Sequence, residues 1–319
     1  MQALANDGAV LAVLTKLLAS SPDAEVRKQS GLAISSLTLV YQGRLAAADA
    51  GTLMALSTAL ADADVGVRVA VTKALESISI SRDGCSILMS ADGIVAKLTG
   101  ALGDAHTPIV SASVSALANL LRLDHGIDEA IDAQIVSKLK RLIDPAQRSR
   151  QLLETSLQAL WNLANTPQGK RSAILDGCLE VLPHHVKKGA TNVRRLAAGC
   201  IMAITIDKEG KLQSLDCADA VMSLLFDEMS DASTMRTSIG ALKNMTEYPR
   251  VRKHVEQWAR THKVGEQVDQ MFDRVMYDSK PWPNSLRYQH QNVAPGGVAA
   301  KEEAFVRRTW GYPQPFSSS

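Results

Sequence analysis

Glycines recur along most of this chain at a nearly constant spacing of 41 to 43 residues. The first series comprises Gly43, Gly84, Gly126, Gly169 and Gly210. A second series runs beside it through Gly8, Gly51, Gly93, Gln134 and Gly177, with a glutamine in place of one glycine. A fixed period of this length is typical of stacked structural repeats. The sequence therefore predicts a chain in which each unit packs mainly against the units before and after it.

Each repeat contains two amphipathic helical patterns. The first begins at the second glycine series, as in GAVLAVLTKLL and GIVAKLTGAL, and places apolar residues three and four apart. The second follows later in each repeat, as in SALANLL and QALWNLA, and five of these segments have a central alanine: Ala33, Ala74, Ala116, Ala159 and Ala241. We expect these alanines to pack deep between neighbouring layers, because larger side chains there would push the layers apart.

The start of the second helix is predicted from two local signals. Ser21-Pro22, Thr107-Pro108 and Asp144-Pro145 each combine a capping side chain with a proline suited to the first helical position. Four repeats also show a Val-Arg pair or its equivalent near this point, with arginines at Arg27, Arg68, Arg194 and Arg236. We expect these arginines to form hydrogen bonds with the acidic loop of the adjacent repeat rather than with a ligand.

Composition favours an all-α core. Aromatic residues make up only 4% of the chain against 46% hydrophobic residues, and alanine and leucine are both strong helix formers. A period near 42 with an alanine-centred last helix is typical of armadillo and HEAT repeats, and ALANLL and ALWNLA resemble the armadillo consensus. The predicted fold is an armadillo/HEAT-type right-handed superhelical solenoid of about six repeats over residues 1–250. Capping helices are predicted over residues 251–276, and an extended C-terminal tail over residues 277–319.

The tail differs in composition from the repeats. Five of the eleven prolines and seven of the thirteen aromatic residues fall within its 43 residues. Large aromatic side chains with few torsions are good anchors at interfaces. We therefore predict that the tail docks on another protein, with a short helix over Val298–Arg307, or folds back along its own solenoid. The predicted anchors are Trp282, Tyr288, Phe305, Trp310, Tyr312 and Phe316.

The sequence offers no case for catalysis. It contains no glycine-rich phosphate loop, nucleophile elbow or dinucleotide fingerprint, and its histidines are not spaced as metal ligands. We therefore expect no enzymatic activity, cofactor, metal or small-molecule substrate. The near balance of 35 Lys and Arg against 33 Asp and Glu argues against nucleic acid as a partner, and no stretch is apolar enough to span a membrane. The four cysteines are expected to be reduced thiols in the cytoplasm or nucleus.

The predicted protein-binding residues lie on the last helix of each repeat, which forms the inner, concave face of an armadillo solenoid. Asn119, Asn162 and Asn244 occupy equivalent places in ANLL, WNLA and KNMT. An amide can hydrogen-bond both donors and acceptors of an extended peptide's main chain. The tryptophan that nuclear import receptors carry four residues earlier is absent, so their type of groove is not expected here.

The stretch DADVGVRVAVTKALESISISRDGCSILMSADGIVAKLTGALGD, residues 62–104, and the following segment Ile109–Ile143 resemble the armadillo-repeat subunit of radial spokes in motile cilia and flagella. This resemblance implies a structural scaffold of the ciliary or flagellar axoneme, a part of the cytoskeleton, bound to other radial spoke subunits. Two alternatives share the same fold. One is a soluble adaptor that captures extended peptides in transport or signalling, and the other is the regulatory subunit of an enzyme.

Overall fold

The computed structural model describes residues 2–123, 126–147, 149–227 and 230–271, and within these ranges the regular structure is entirely helical. The chain consists of two compact units, with the boundary between Ser172 and Ala173. In both units the repeats have up to three helices: a short first helix, a second helix and a longer last helix. The predicted all-α repeat fold is confirmed.

The first unit contains four last helices and the helices that support them. Its last helices are α2, α5, α8 and α11, and α1, α4, α7 and α10 are the corresponding second helices. The bounds of its helices are α1 Gln2–Ser20, α2 Ala24–Leu37, α3 Tyr41–Asp49, α4 Thr52–Ala59, α5 Val65–Ser79, α6 Arg82–Leu88, α7 Ile94–Ala101, α8 Thr107–Leu120, α9 Ile127–Asp132, α10 Ile135–Leu142 and α11 Arg150–Ala164.

The second unit contains two further last helices, α14 and α17, and ends in two additional helices. Helix α12 lies at the chain position where the units divide. The bounds are α12 Pro167–Leu175, a 3-10 turn at Cys178–Glu180, α13 Leu182–Lys188, α14 Thr191–Ile204, α15 Lys208–Leu212, α16 Leu215–Leu225, α17 Ala232–Met245, α18 Pro249–Thr261 and α19 Gly265–Met271. Helix α18 begins two residues before the predicted capping segment and α19 lies within it, whereas the predicted tail lies outside the described residues.

Small residues at the centre of the last helices let these helices stack. Helix α5 packs between α2 and α8, and α14 packs against α17. Ala74, Ala116, Ala159 and Ala241 are fully buried, as predicted. Ala33 is only half-buried, because among the described helices α2 has a last-helix neighbour on one side alone. The layers are therefore held together by aliphatic contact, which stabilises in proportion to the apolar area removed from water.

The first glycine series allows a close approach of two backbones. A Cβ atom on Gly43, Gly84, Gly169 or Gly210 would lie 1.8, 1.7, 2.1 or 2.4 Å from the carbonyl oxygen six residues earlier, at the end of the preceding last helix. No side chain fits at such distances, so the first turn of each of these short first helices can pack against the end of the last helix only with glycine as its third residue. Gly126 differs, since its φ is +85° and it precedes α9.

The second glycine series supplies left-handed backbone just before α4, α7 and α10, and before the 3-10 turn that leads into α13. Gly51, Gly93 and Gly177 have φ between 65° and 68°, and Gln134 adopts the same conformation with φ 58°. The register predicted from sequence is therefore confirmed from Gly51 onwards. Gly8 was predicted to open a helix in the same way, which is wrong, since α1 already begins at Gln2 and Gly8 lies within it.

Replacing Gln134 by glycine is expected to raise the free energy of unfolding by about 0.5–1 kcal/mol, because a side chain with a Cβ atom is strained in the left-handed region. The reverse change at the equivalent position, Gly93→Gln, is expected to lower it by about 1 kcal/mol. Urea unfolding of both variants measures the two effects. Equal unfolding midpoints for Gln134→Gly and the parent chain would contradict the argument.

Two of the three predicted helix starts are wrong by a few residues. Helix α8 begins at Thr107, one residue earlier than predicted: His106 is its cap residue, no side chain caps it, and Pro108 lies in its first turn. Helix α2 instead begins after Asp23, which accepts a hydrogen bond from the Glu25 amide at 2.8 Å, and α11 begins after Ser149, which caps the Leu152 amide. The prolines at 22 and 145 lie in the preceding loops, because the side chain that reaches the free amides fixes the helix start.

Candidate protein-binding face

The three predicted asparagines lie at equivalent positions near the ends of α8, α11 and α17, and all three are half-buried. Each uses its side-chain N–H to bind the preceding last helix of its own unit. Asn162 Nδ2 donates to the main-chain oxygen of Ala118 at 2.8 Å, and Asn244 Nδ2 donates to that of Met202, also at 2.8 Å. Asn119 Nδ2 donates to Ser79 Oγ at 3.2 Å. The asparagines therefore join neighbouring repeats.

Each amide keeps hydrogen-bonding capacity after making this contact. An asparagine carries two N–H donors and a carbonyl oxygen with two lone pairs. In Asn162 the oxygen also accepts from Gln158 Nε2 at 2.9 Å, so one turn of α11 is tied together on this face. One further N–H and acceptor capacity remain for a peptide main chain. The role of Asn119, Asn162 and Asn244 in binding a partner stays a prediction.

The position four residues before each asparagine shows why a tryptophan groove does not form. In α11 it is Gln158, which bonds to Asn162. In α17 it is Gly240, where an added Cβ would lie 2.6 Å from the sulfur of Met202 on α14. The Met202 side chain thus covers the place that a larger residue on α17 would need. The absence of an import-receptor groove follows from residue type at these positions.

Arginines near the start of the last helices join adjacent repeats, as predicted. Arg27 contacts Asp62 through two hydrogen bonds of 2.8 and 3.0 Å, and Arg68 contacts Asp104 at 2.8 Å. In the second unit Arg194 contacts Asp227 at 2.5 Å. Charge-assisted pairs of this kind are stronger than neutral hydrogen bonds. Arg27 and Arg68 also donate hydrogen bonds to main-chain carbonyl oxygens of the preceding loops, so these N–H groups stabilise the fold.

Arg236 does not follow this pattern. The bond of Asn244 to the preceding last helix is equivalent to that of Asn162, and it fixes how α17 aligns with the other last helices. In this alignment the buried Met235 is the equivalent of Arg194, and Arg236 is an exposed residue one position later in α17. One residue rotates a side chain by about 100° around a helix. No ion pair of Arg236 occurs among the described residues. Its assignment to the arginine series was therefore wrong.

The Arg27 pair makes stability depend on pH. The Arg27 hydrogen bond is the main cause that holds the pKa of Asp62 below its ordinary value, against the opposing effect of burial. Because the folded-state pKa is the lower one, Asp62 contributes stability above its unfolded pKa of about 4, and this contribution is lost as the pH falls through the folded-state value.

We expect Asp62→Asn to reduce the loss of unfolding free energy below about pH 5, because the variant has no carboxylate to protonate at this position. Urea unfolding at a series of pH values measures this slope. Arg27→Met is the matched variant, since it removes the cause of the lowered pKa and should reduce the slope similarly. An unchanged slope in both variants would contradict the assignment.

A second set of inter-repeat contacts was missed at the sequence level. Lys97 and Lys138 are each the fourth residue after the residue that opens their second helix, Gly93 and Gln134. Lys97 Nζ donates to Ser57 Oγ at 2.9 Å, and Lys138 Nζ donates to the main-chain oxygen of Thr99 at 2.9 Å. Their common spacing from the second glycine series was the signal in the sequence.

The titratable groups form no reactive centre in the described part of the chain. All four cysteines are buried free thiols, and burial raises the pKa of Cys217 to about 12. A thiol with a raised pKa is a poor nucleophile at neutral pH. No cluster of His, Cys, Asp or Glu in the described ranges could hold a metal ion. None of the described helices is both long and apolar enough to cross a bilayer.

The predicted tail anchors Trp282, Tyr288, Phe305, Trp310, Tyr312 and Phe316 lie outside the described residues, as does the helix predicted over Val298–Arg307. Their role in docking stays a prediction.

Comparison with solved structures identifies the fold. A designed armadillo repeat protein in complex with peptide (KR)4 is 22% identical, with a TM-score of 0.65 over 74% of this chain and 99% of that chain. An engineered protein from a structural genomics consortium is 20% identical, with a TM-score of 0.73 over 95% of this chain and 69% of that chain. No family model and no curated protein matches the sequence.

A natural protein also shares the fold. A structure concerned with a phosphorylation switch in the interaction between cadherin and beta-catenin is 18% identical, with a TM-score of 0.63 over 73% of this chain and 44% of that chain. The repeats described above therefore have the armadillo fold, which the resemblance of ALANLL and ALWNLA to the armadillo consensus predicted. The resemblance to the radial spoke subunit remains a prediction from the sequence.

Proposed function

We propose that this chain is a non-enzymatic scaffold subunit that binds neighbouring proteins within a larger assembly. The observation that carries the proposal is that, within each unit, half-buried asparagine amides at equivalent positions of the last helices keep hydrogen-bonding capacity after joining two repeats. Stacked repeats of this kind offer an extended surface rather than a closed pocket for a small substrate. The high pKa of the buried Cys217 thiol is also unsuited to nucleophilic catalysis.

Within this proposal, the assembly is the radial spoke of the ciliary or flagellar axoneme. The support is the sequence resemblance over residues 62–104 and Ile109–Ile143, which covers the three-helix repeats that α5 to α10 build. The partners are then other radial spoke or axonemal subunits. The aromatic tail over residues 277–319 supplies anchors whose burial would resist repeated mechanical load.

The test is retention in the axoneme. The full chain and a version ending at Tyr277 are expressed with epitope tags in a ciliated cell, and the cells are extracted with detergent and high salt. The full chain is expected to stay with the axoneme and the shortened chain to be washed out. Loss of both chains to the soluble fraction would overturn the axonemal assignment, and retention of both would overturn the anchoring role of the tail.

A peptide-capturing adaptor is the second candidate. It is favoured by the designed armadillo protein of similar fold that is seen in complex with a peptide. For this candidate, binding of extended peptides is weak and reversible, and the Asn119→Ala and Asn162→Ala changes abolish it in the folded protein. An axonemal chain that survives high salt would argue against this candidate.

A further inference from the structure

A groove on the first unit lies between two second helices, α1 and α4. It has a volume of about 770 Å³ and ends near the Arg27–Asp62 pair. Its floor includes the buried Leu18 and Ala55, and its rim carries the hydroxyls of Thr15 and Thr58. This size falls within the range of small-ligand sites, and the lining combines an apolar floor with polar groups at the edge.

In each of the next two layers a lysine links a second helix to the second helix before it. Lys97 crosses from α7 to Ser57 on α4, and Lys138 crosses from α10 to Thr99 on α7. In α4 the position equivalent to these lysines is Ala55, the fourth residue after Gly51. No side chain at Ala55 can reach α1, and Ala55 itself lines the groove. The groove is thus open at the position that lysine occupies in the following repeats.

A lysine side chain suits the groove between α1 and α4 for the same physical reason that lysine suits positions 97 and 138. Its aliphatic stem can cover an apolar floor while its ammonium group reaches an oxygen at the edge. Thr15, which lines the groove, shares one hydrogen bond of 2.7 Å with the buried Thr52 hydroxyl, and its own hydroxyl oxygen keeps a lone pair that can accept another. Ser20, which donates to the Lys16 carbonyl, can also accept at the opposite end of the rim.

The exposed Met54 side chain stands at the mouth of this groove. Methionine is flexible and adapts to the shape of a bound group, which is why it recurs at binding surfaces. The groove volume exceeds that of one side chain, so residues that flank a bound lysine also fit against Met54 and Thr58. A segment that presents one lysine therefore has more contacts here than a free amine has.

We propose that the groove between α1 and α4 binds a lysine side chain presented by a segment of a partner protein. This lysine takes the place equivalent to that of Lys97 and Lys138, which link the second helices of the next two layers. This inference rests on the proposed scaffold function and names one class of contact that the scaffold makes.

The test uses the full chain with isotope-labelled methionine methyl groups, in which the signal of Met54 is assigned by Met54→Leu. The probe is the peptide acetyl-Ala-Ala-Lys-Ala-Ala-amide. Two matched peptides replace the lysine by norleucine or by glutamate. The lysine peptide is expected to shift the Met54 signal saturably, with a dissociation constant at least about tenfold lower than that of either matched peptide.

Two variants close the groove from within. Ala55→Lys places a lysine at the position of Lys97 and Lys138, and Thr58→Trp fills the exposed rim if the first variant fails to fold. Either change is expected to abolish the shift while leaving the other methionine signals in place. Ala48→Lys adds the same charge to the exposed surface of α3 and should leave binding unchanged.

Equal binding of the norleucine peptide would overturn the proposal in favour of a general apolar groove, and stronger binding of the glutamate peptide would overturn it in favour of a carboxylate site. Binding that persists in both groove variants would also overturn it. These outcomes are separate from the extraction test: a chain that stays with the axoneme without binding the lysine peptide keeps its scaffold function and loses only this contact.

Discussion

Replacing Gly84 by alanine is expected to lower the free energy of unfolding by about 3–5 kcal/mol, among the larger effects of a single substitution. The added Cβ would lie 1.7 Å from the Ile78 carbonyl oxygen and 3.1 Å from the Arg44 side chain. Backbone atoms at the end of α5 would have to move, and α5 is packed between α2 and α8. The cost arises from this displacement and not from the conformation of Gly84, whose φ is not positive.

Gly100→Ala is the matched control. Gly100 lies in α7, and an added Cβ there would have no neighbour within 4 Å. Alanine is the better helix former, so this variant is expected to gain about 0.5–1 kcal/mol. Guanidinium unfolding of both variants gives the comparison. Similar unfolding midpoints for Gly84→Ala and Gly100→Ala would show that the close approach of the two backbones does not limit this position.

Removing the carboxylate of Glu247 is expected to cost about 3 kcal/mol, because it leaves a nearly buried ammonium group without its partner. Lys211 in α15 pairs with Glu247 in the loop after α17, and the two side chains are only 9% and 13% exposed. A buried charge pair contributes little over an apolar pair of similar size, but a single buried charge is costly.

The double variant Lys211→Met with Glu247→Leu separates these effects. It is expected to recover most of the stability that Glu247→Ala loses, since neither charge remains to be solvated. A double-mutant cycle of Lys211→Met, Glu247→Leu and their combination, measured by guanidinium unfolding, gives the coupling between the two positions. A Glu247→Ala variant as stable as the parent chain would show that water reaches the Lys211 ammonium group in solution.

The repeat architecture could be predicted from the sequence because it depends on residue types that only one geometry accepts. The first glycine series marks where two backbones meet, and no other residue leaves room for the carbonyl oxygen of Ile78 or Leu37. The second series marks left-handed backbone, which glycine adopts without strain. Gln134 breaks the residue pattern but keeps the conformation. Register was therefore predictable even where one glycine is missing.

The candidate binding face was predictable in position but not in its contacts. The sequence placed Asn119, Asn162 and Asn244 on the last helices, and the structure agrees. That each amide binds the preceding last helix depends on the spacing of stacked helices, which no single repeat contains. The shift of Arg236 out of the arginine series has a similar origin, since only the contact of Asn244 fixes its register.

The sequence by itself determined the period, the helical class and three of the four arginine pairs, because each follows from a repeating pattern of residue types. The tertiary structure alone decided where a groove between two helices stays accessible to a ligand. Ala55 is an ordinary helical residue in the sequence. It lines a groove because its side chain is too short to reach α1, whereas Lys97 and Lys138 at the equivalent positions reach the preceding second helix. Such a space depends on two helices from different repeats, and so it exists only once the repeats are stacked.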